Sequence, residues 1–161
     1  MKYICFALLF IFSCSASKKN KNKMPFEIIK ATSQNVAGGA PGAGTATEYK
    51  FEIKKITEDV IEFKQLWVGE KESIPTRLKR KSRADNYANY KAEDIMNVVA
   101  TKRNLSGMLK QRLEKNGVKR AMGEAAPYKF EGDALIEYTR NEETHYFEIK
   151  EIKELDSIAL P

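Results

Sequence analysis

The residues of this chain that are able to do chemistry are few and widely separated. The 161 residues include one histidine, His145, and two cysteines, Cys5 and Cys14. A zinc site needs clustered ligands, and a serine or cysteine nucleophile needs an activating base. No serine lies in a recognisable nucleophile elbow, and carboxylates are too common for two to be singled out for glycoside hydrolysis. We therefore predict no catalytic residue, no metal site, no cofactor and no enzyme, with a carboxylate-based hydrolase as the alternative.

Cys14 lies in a stretch whose composition is typical of an export signal. Met1 and Lys2 come before an apolar run over residues 4–12, and small residues follow over residues 13–17. The run is about half of the roughly 20 residues that a transmembrane helix needs, and its flanks match the charged start and cleavage zone of a signal peptide. We therefore expect residues 1–13 to be a signal peptide.

The end of this stretch, Ile11, Phe12, Ser13 and Cys14, resembles the lipobox of bacterial lipoproteins. In that family the cysteine becomes the lipidated first residue of the mature protein. The resemblance implies lipidation of Cys14 and a membrane anchor through the N-terminal lipid, in the periplasm or on the outer membrane. Cleavage after Ala16 is the alternative, and it would release a secreted soluble protein.

The residues after the signal peptide divide into a tether and a domain. Residues 14–24 are polar, rich in lysine and without apolar periodicity, so they are predicted to be a flexible tether. Residues 25–161 are long enough for a single domain with one core, since 42% of the chain is hydrophobic. With Cys5 removed and Cys14 modified, this domain has no disulfide.

Charge is unevenly distributed along the domain. Residues 71–120 hold 14 Lys and Arg against 5 Asp and Glu, whereas residues 121–161 hold 4 against 10. One interpretation is that basic and acidic strands face each other within the fold. The other is an exposed patch for an anionic lipid, a glycan or an envelope protein. That patch would consist of Arg77, Lys79, Arg80, Lys81 and Arg83. Because the chain is predicted to be exported, no nucleic-acid partner is expected.

Alternating apolar and polar residues predict a β fold. Residues 49–68 are predicted to form a β-hairpin in which Trp67 anchors the core, and residues 134–149 a second hairpin. Residues 26–31, 73–78 and 95–99 are predicted as further strands, with Pro75 confining the middle one to an edge or an irregular stretch. The predicted fold is all-β, an immunoglobulin-like β-sandwich of about six or seven strands.

Two segments depart from the strand pattern. Apolar residues at spacings of three and four over residues 105–117 predict one short inserted helix, which either docks on the sandwich or lies on a membrane surface. Residues 38–44 include four glycines but lack the lysine of a phosphate-binding loop. They predict a long turn or a flexible crossover.

Several segments together resemble a group of small uncharacterised lipoproteins and secreted proteins of flavobacteria and related Bacteroidota. They are Ala31-Thr32-Ser33-Gln34, the glycine-rich run, Tyr49-Lys50-Phe51, Leu66-Trp67-Val68-Gly69, and residues 134–138 with residues 146–150. The resemblance implies an exported β protein and brings no activity with it. The sequence as a whole predicts an envelope-anchored lipoprotein that is a non-catalytic binding or accessory module.

Overall fold

The computed structural model describes residues 24–38, 44–69, 73–80, 82, 85–104, 111, 115 and 123–159. The protein is mostly β-structure. The regular elements of these residues are one 3₁₀ turn (Tyr87–Asn89) and eight strands: β1 (Phe26–Ala37), β2 (Thr45–Lys55), β3 (Ile61–Trp67), β4 (Ser73–Leu78), β5 (Ile95–Asn104), β6 (Ala134–Arg140), β7 (Glu143–Ile149) and β8 (Lys153–Ala159).

All eight strands belong to one sheet, in the order β7-β6-β3-β4-β5-β2-β1-β8. Neighbouring strands are antiparallel, except that β8 runs parallel to β1. The β class predicted from the sequence is therefore confirmed. The immunoglobulin-like sandwich of six or seven strands is not confirmed, because pairing continues from strand to strand through all eight.

β4 connects the two halves of this sheet. Its first half, residues 73–75, pairs with β3, and its second half, residues 76–78, pairs with β5. Of the two alternatives predicted for Pro75, the edge is wrong, since β4 lies in the middle of the order, and the irregular stretch agrees with the change of partner directly after Pro75. The proline is tolerated because it has a paired strand on one side only, so its missing N–H interrupts no second ladder.

The sheet curls, and its concave face encloses the main core. Phe26, at the start of β1, packs edge-on against Phe63 of β3, Tyr138 of β6 and Phe147 of β7, with ring centroids 5.1, 4.9 and 5.4 Å away. Those three strands lie at the far end of the order from β1. The two end strands, β7 and β8, are joined by residues 150–152 alone, which limits their separation to roughly 14 Å. The sheet therefore closes toward itself.

The alternation within the strands agrees with the sequence. Tyr49, Phe51 and Ile53 of β2 are buried, while the residues between them are partly exposed. Trp67 is buried with 2% of its surface exposed, which confirms that it is a core residue. It belongs to a smaller cluster with Phe130 and Leu135, separate from the main core.

The hairpin predicted over residues 49–68 is wrong in its pairing. Both strands exist, but β2 pairs with β1 and β5, and β3 pairs with β4 and β6. Residues 56–60 instead carry the chain from one half of the sheet to the other. This connection is held by Asp59, which pairs with Arg140 at 2.7 Å, and by Ile56, whose N–H donates to the oxygen of Pro25 at 2.8 Å. Alternation specifies the buried face of a strand but not its neighbour.

The second predicted hairpin is confirmed. β6 and β7 pair from Ala134 opposite Ile149 to Arg140 opposite Glu143. The two residues of the turn, Asn141 and Glu142, both have left-handed backbone, with φ of 52° and 69°. A two-residue turn of this kind favours Asn followed by Gly, because glycine has no Cβ to clash at positive φ.

Replacing Glu142 with glycine is expected to raise the free energy of unfolding by about 1 kcal/mol. The reason is that glycine has no Cβ, which is the atom that disfavours the left-handed conformation of residue 142. Urea unfolding measures the change. The matched control is Glu143→Gly, which places glycine in β7 and should lower stability by roughly 0.5–1 kcal/mol. A Glu142→Gly protein no more stable than the parent would contradict the turn geometry.

Some predicted segments lie outside the described residues. They are the signal peptide, the tether up to residue 23, and the helix over residues 105–117 apart from Gln111 and Lys115, which are exposed and have helical backbone. Residues 39–43 of the glycine-rich run are also outside. The residues at its two ends are described, and the N–H of Gly38 donates to the oxygen of Gly44 at 3.1 Å. This bond joins the two described ends of the glycine-rich run, between β1 and β2.

Candidate functional site

An open groove of about 740 Å³ lies between the second half of β4 and the 3₁₀ turn. The residues that give it its chemical character are Glu62, Thr76, Arg77, Arg80, Asn86 and Tyr87. Two guanidinium groups, an amide and hydroxyl groups therefore meet in one place. We refer to it as the arginine groove.

β4 sets the direction of the basic side chains of this groove. Leu78 is buried, so its neighbours Arg77 and Lys79 point outward and are exposed, as is Arg80. Pairing with β5 fixes this register, since the N–H of Lys79 donates to the oxygen of Asn97 at 2.7 Å. Three of the five residues of the predicted patch thus lie together on the surface. The other two, Lys81 and Arg83, are outside the described residues.

The opposite wall of the arginine groove is held by the 3₁₀ turn. Asn86 caps the turn, with its Oδ1 accepting a hydrogen bond from the N–H of Ala88 at 2.9 Å. The ring of Tyr87 lies 6.1 Å from that of Phe63, and its hydroxyl donates a long hydrogen bond of 3.4 Å to the oxygen of Phe63. Burial raises the pKa of Tyr87 to about 12, so this hydroxyl stays protonated at neutral pH. Tyr90 follows the turn, and its backbone oxygen accepts a hydrogen bond from Nζ of the buried Lys55.

The two arginines of the groove and the neighbouring Lys79 carry no ion pair in the part of the chain that the structure describes. Arg77, Lys79 and Arg80 take part in none of the ion pairs found there. Glu62, whose carboxylate lines the groove, binds the Nζ of Lys64 instead. Compensation by acidic C-terminal strands, the other interpretation of the charge distribution, therefore has no support at these three residues.

A second groove, next to the 3₁₀ turn, is lined by three carboxylates, those of Asp85, Glu93 and Asp94. Each of them has a local structural partner. Asp85 accepts hydrogen bonds from the N–H and hydroxyl of Ser82 at 3.0 and 3.2 Å, and Asp94 accepts one from the N–H of Lys91 at 2.7 Å. Glu93 pairs with Lys54 at 2.6 Å. These carboxylates stabilise the loop around the turn.

His145 lies on β7 with its ring stacked on that of Tyr138, at a centroid distance of 5.3 Å and an angle of 24°. Its Nε2 is 3.8 Å from Oε2 of Glu143, and both side chains are exposed. Within the described ranges, no group of three or more His, Cys, Asp or Glu is placed to hold a metal ion.

Sequence reasoning identified the arginines of the groove but not their surroundings. Thr76, Glu62 and Asn86 carried no signal, because they come from three segments that meet only through the pairing of β3 with β4 and the folding-back of the turn.

Comparison of the chain with protein-family models, with curated proteins and with solved structures found no match in any of the three. The resemblance to flavobacterial lipoproteins therefore stays a prediction from the sequence. No helix among the described residues has the length and apolar character needed to cross a membrane.

Proposed function

We propose that the protein is a non-catalytic binding or accessory module of the cell envelope, anchored to a membrane by a lipid on Cys14, and that it binds an anionic partner at the arginine groove. The observation that carries this proposal is the presence of Arg77 and Arg80 in one groove, with no carboxylate paired to either among the described residues.

The groove is suited to phosphate or carboxylate groups. A guanidinium donates two parallel hydrogen bonds to either group, and such charge-assisted bonds are stronger than those between neutral groups. Lys79, directly after β4, adds a third exposed positive charge between the two arginines in the sequence. The groove is open to solvent, so it fits the head group of an anionic lipid or an acidic unit of a glycan that extends beyond it.

The anchor and the groove support each other in this proposal. A lipid on Cys14 keeps the domain near a membrane, and the lysine-rich residues after it favour an anionic surface by on the order of 1 kcal/mol each. The groove then needs only moderate affinity, because its partner is concentrated at that surface. A secreted soluble protein, produced by cleavage after Ala16, would lack this advantage.

The competing hydrolase is less well supported. A glycoside hydrolase needs two carboxylates that face the scissile bond, one of them often with a raised pKa. The carboxylates that line the second groove are instead bound to Ser82, Lys91 and Lys54. Their engagement favours a structural role over acid–base chemistry.

Removing the positive charges in and beside the groove is expected to weaken binding to anionic membranes strongly. The purified Cys14→Ala chain, with Arg77, Lys79 and Arg80 each replaced by glutamine, should bind phosphatidylglycerol vesicles on the order of 100-fold more weakly than Cys14→Ala alone, at about 1 kcal/mol per basic residue. Vesicle sedimentation at increasing salt measures the effect, and lipopolysaccharide provides a glycan-bearing alternative. Binding by the parent should fall with salt, since exposed charges are screened over roughly 10 Å at 0.1 M.

The matched control removes the same number of charges elsewhere. Lys30, Lys50 and Lys54 already pair with glutamates, so replacing them with glutamine should have a much smaller effect on vesicle binding. Stability should change by less than about 0.5 kcal/mol per exposed site in the groove variant. Equal weakening in both triple variants would mean that net charge, rather than the groove, attracts the membrane, and the proposal would be wrong.

A further inference from the structure

A second surface lies on the outer face of the sheet, away from the main core. The segment from Gly123 to Asp133 covers this face and forms a small apolar cluster of Trp67, Phe130 and Leu135, with Ala126 against it. The indole N–H of Trp67 donates to the backbone oxygen of Glu124 at 2.9 Å, which fastens the covering segment to β3. This face of the sheet is therefore covered by a packed segment and is not a bare strand surface.

Two tyrosines stand exposed at the edge of that cluster. Tyr128 is 47% exposed and Tyr146 is 37% exposed. Their rings meet almost at a right angle, 88°, with centroids 5.8 Å apart, and Trp67 lies under Tyr146 at 6.1 Å. Two perpendicular ring faces form an aromatic corner that is open to solvent.

Carboxylates surround this aromatic corner. Glu137 lies directly opposite Tyr146 in the pairing of β6 with β7. Burial, followed by the charges of Glu137 and Glu124, raises the pKa of Tyr146, and burial with the charge of Glu148 raises that of Tyr128. Both rings therefore lie close enough to carboxylates for their charges to act on the tyrosine hydroxyls.

None of Glu124, Glu137 and Glu148 takes part in an ion pair found among the described residues. Burial and the charge of Glu124 raise the pKa of Glu137, and Lys64 opposes them only in part. Lys64 itself binds Glu62. Glu124 and Glu137 are therefore without an ion pair in this part of the structure, while Glu148 accepts hydrogen bonds from the N–H groups of Glu131 and Gly132.

We propose that this surface binds a basic peptide segment, with the side chain of one lysine or arginine seated in the corner between Tyr128 and Tyr146. A cation within about 6 Å of an aromatic ring is attracted by the negative face of that ring. Glu124, Glu137 and Glu148 belong to the covering segment, β6 and β7 respectively, so their charges are spread beyond one ring. A ligand with several positive charges along an extended chain complements that distribution better than a single small cation does.

The test uses the fluorescence of Trp67, the single tryptophan of the chain, as a reporter beneath Tyr146. Titration of the full chain with tetralysine amide should give a saturable change that weakens as salt is added. Tetra-acetyl-lysine amide has the same length without charge and should give none. Tyr128→Leu and Tyr146→Leu should each weaken binding about two- to fivefold, the loss of one exposed cation–π contact.

A charge variant makes the test independent of the tyrosines. Glu137→Gln should weaken binding of tetralysine, whereas Glu52→Gln, on β2 and paired with Lys30, should not. Urea midpoints equal to that of the parent confirm that each variant is folded. The proposal is overturned if tetralysine gives no saturable signal, or if Glu137→Gln and Glu52→Gln weaken it equally. It is also overturned if the acetylated peptide or a neutral oligosaccharide binds as well as tetralysine, since the corner would then recognise shape and not charge.

Discussion

Replacing Phe26 with alanine is expected to lower the free energy of unfolding by about 3–5 kcal/mol, the usual cost of deleting a buried phenylalanine. Phe26 is 2% exposed, and its ring contacts aromatic residues of β3, β6 and β7. The substitution removes apolar burial and three edge-to-face contacts, and it leaves a cavity where β1 meets the far end of the curled sheet. Because domains of this size are stable by about 5–15 kcal/mol, this one change removes a large part of the total.

Urea unfolding monitored by circular dichroism measures this loss. Ile29→Ala is the control on the same strand, because Ile29 is 50% exposed and its truncation should cost less than about 0.5 kcal/mol. A loss below about 1 kcal/mol for Phe26→Ala would show that β1 is not packed against β7, and the closure of the sheet would have to be revised.

Replacing Cys14 with alanine is expected to move most of the protein from the membrane fraction to the soluble fraction. Under the lipoprotein prediction Cys14 carries the acyl chains, and each buried CH₂ contributes about 0.8 kcal/mol to anchoring. The lysines that follow contribute on the order of 1 kcal/mol each near an anionic surface, and high salt screens them. Membrane fractionation at high salt therefore measures anchoring by the lipid, because the attraction of the lysines is screened.

Cys5→Ala is the matched control, because Cys5 lies in the predicted signal peptide and its replacement should leave the protein in the membrane. Mass spectrometry of the mature N-terminus distinguishes the two cleavage sites directly, since an N-terminus that begins with lipidated Cys14 and one that begins after Ala16 differ in mass. An unmodified cysteine, or a Cys14→Ala protein that stays membrane-bound at high salt, would make the lipoprotein prediction wrong.

The sequence predicted the strands of this protein better than their arrangement. The alternation around Phe51 identified the buried face of β2 correctly, because side chains change face at every residue whatever the neighbouring strand is. The same pattern assigned β2 and β3 to one hairpin, whereas they are separated by β5 and β4. Pairing depends on contacts between distant segments, which periodicity does not encode. Pro75 predicted an edge or an irregular stretch, and only the second alternative holds, since a strand that changes partner halfway tolerates a proline in the middle of a sheet.

The candidate sites show the same division. Arg77 and Lys79 alternate with the buried Leu78, so their exposure could be predicted from the sequence. The groove around them was not, because its other wall is the 3₁₀ turn, a three-residue element without a periodic signal. The corner of Tyr128 and Tyr146 depends on a covering segment that has no regular structure, and its two rings are far apart in the sequence.

The parallel pairing of β1 with β8 has a consequence for the order of folding. Gln34 donates from its side chain to the oxygen of Asp156, and the two residues are 122 positions apart. At a synthesis rate of about 5–20 residues per second, β1 emerges from the ribosome roughly 6–24 s before its second partner strand. Contacts over such separations also slow folding once the chain is complete, because a large loop has to close first. The export predicted from the sequence would require the chain to cross a membrane before it folds, and a sheet that is completed only by β8 delays folding in the way that this crossing would need.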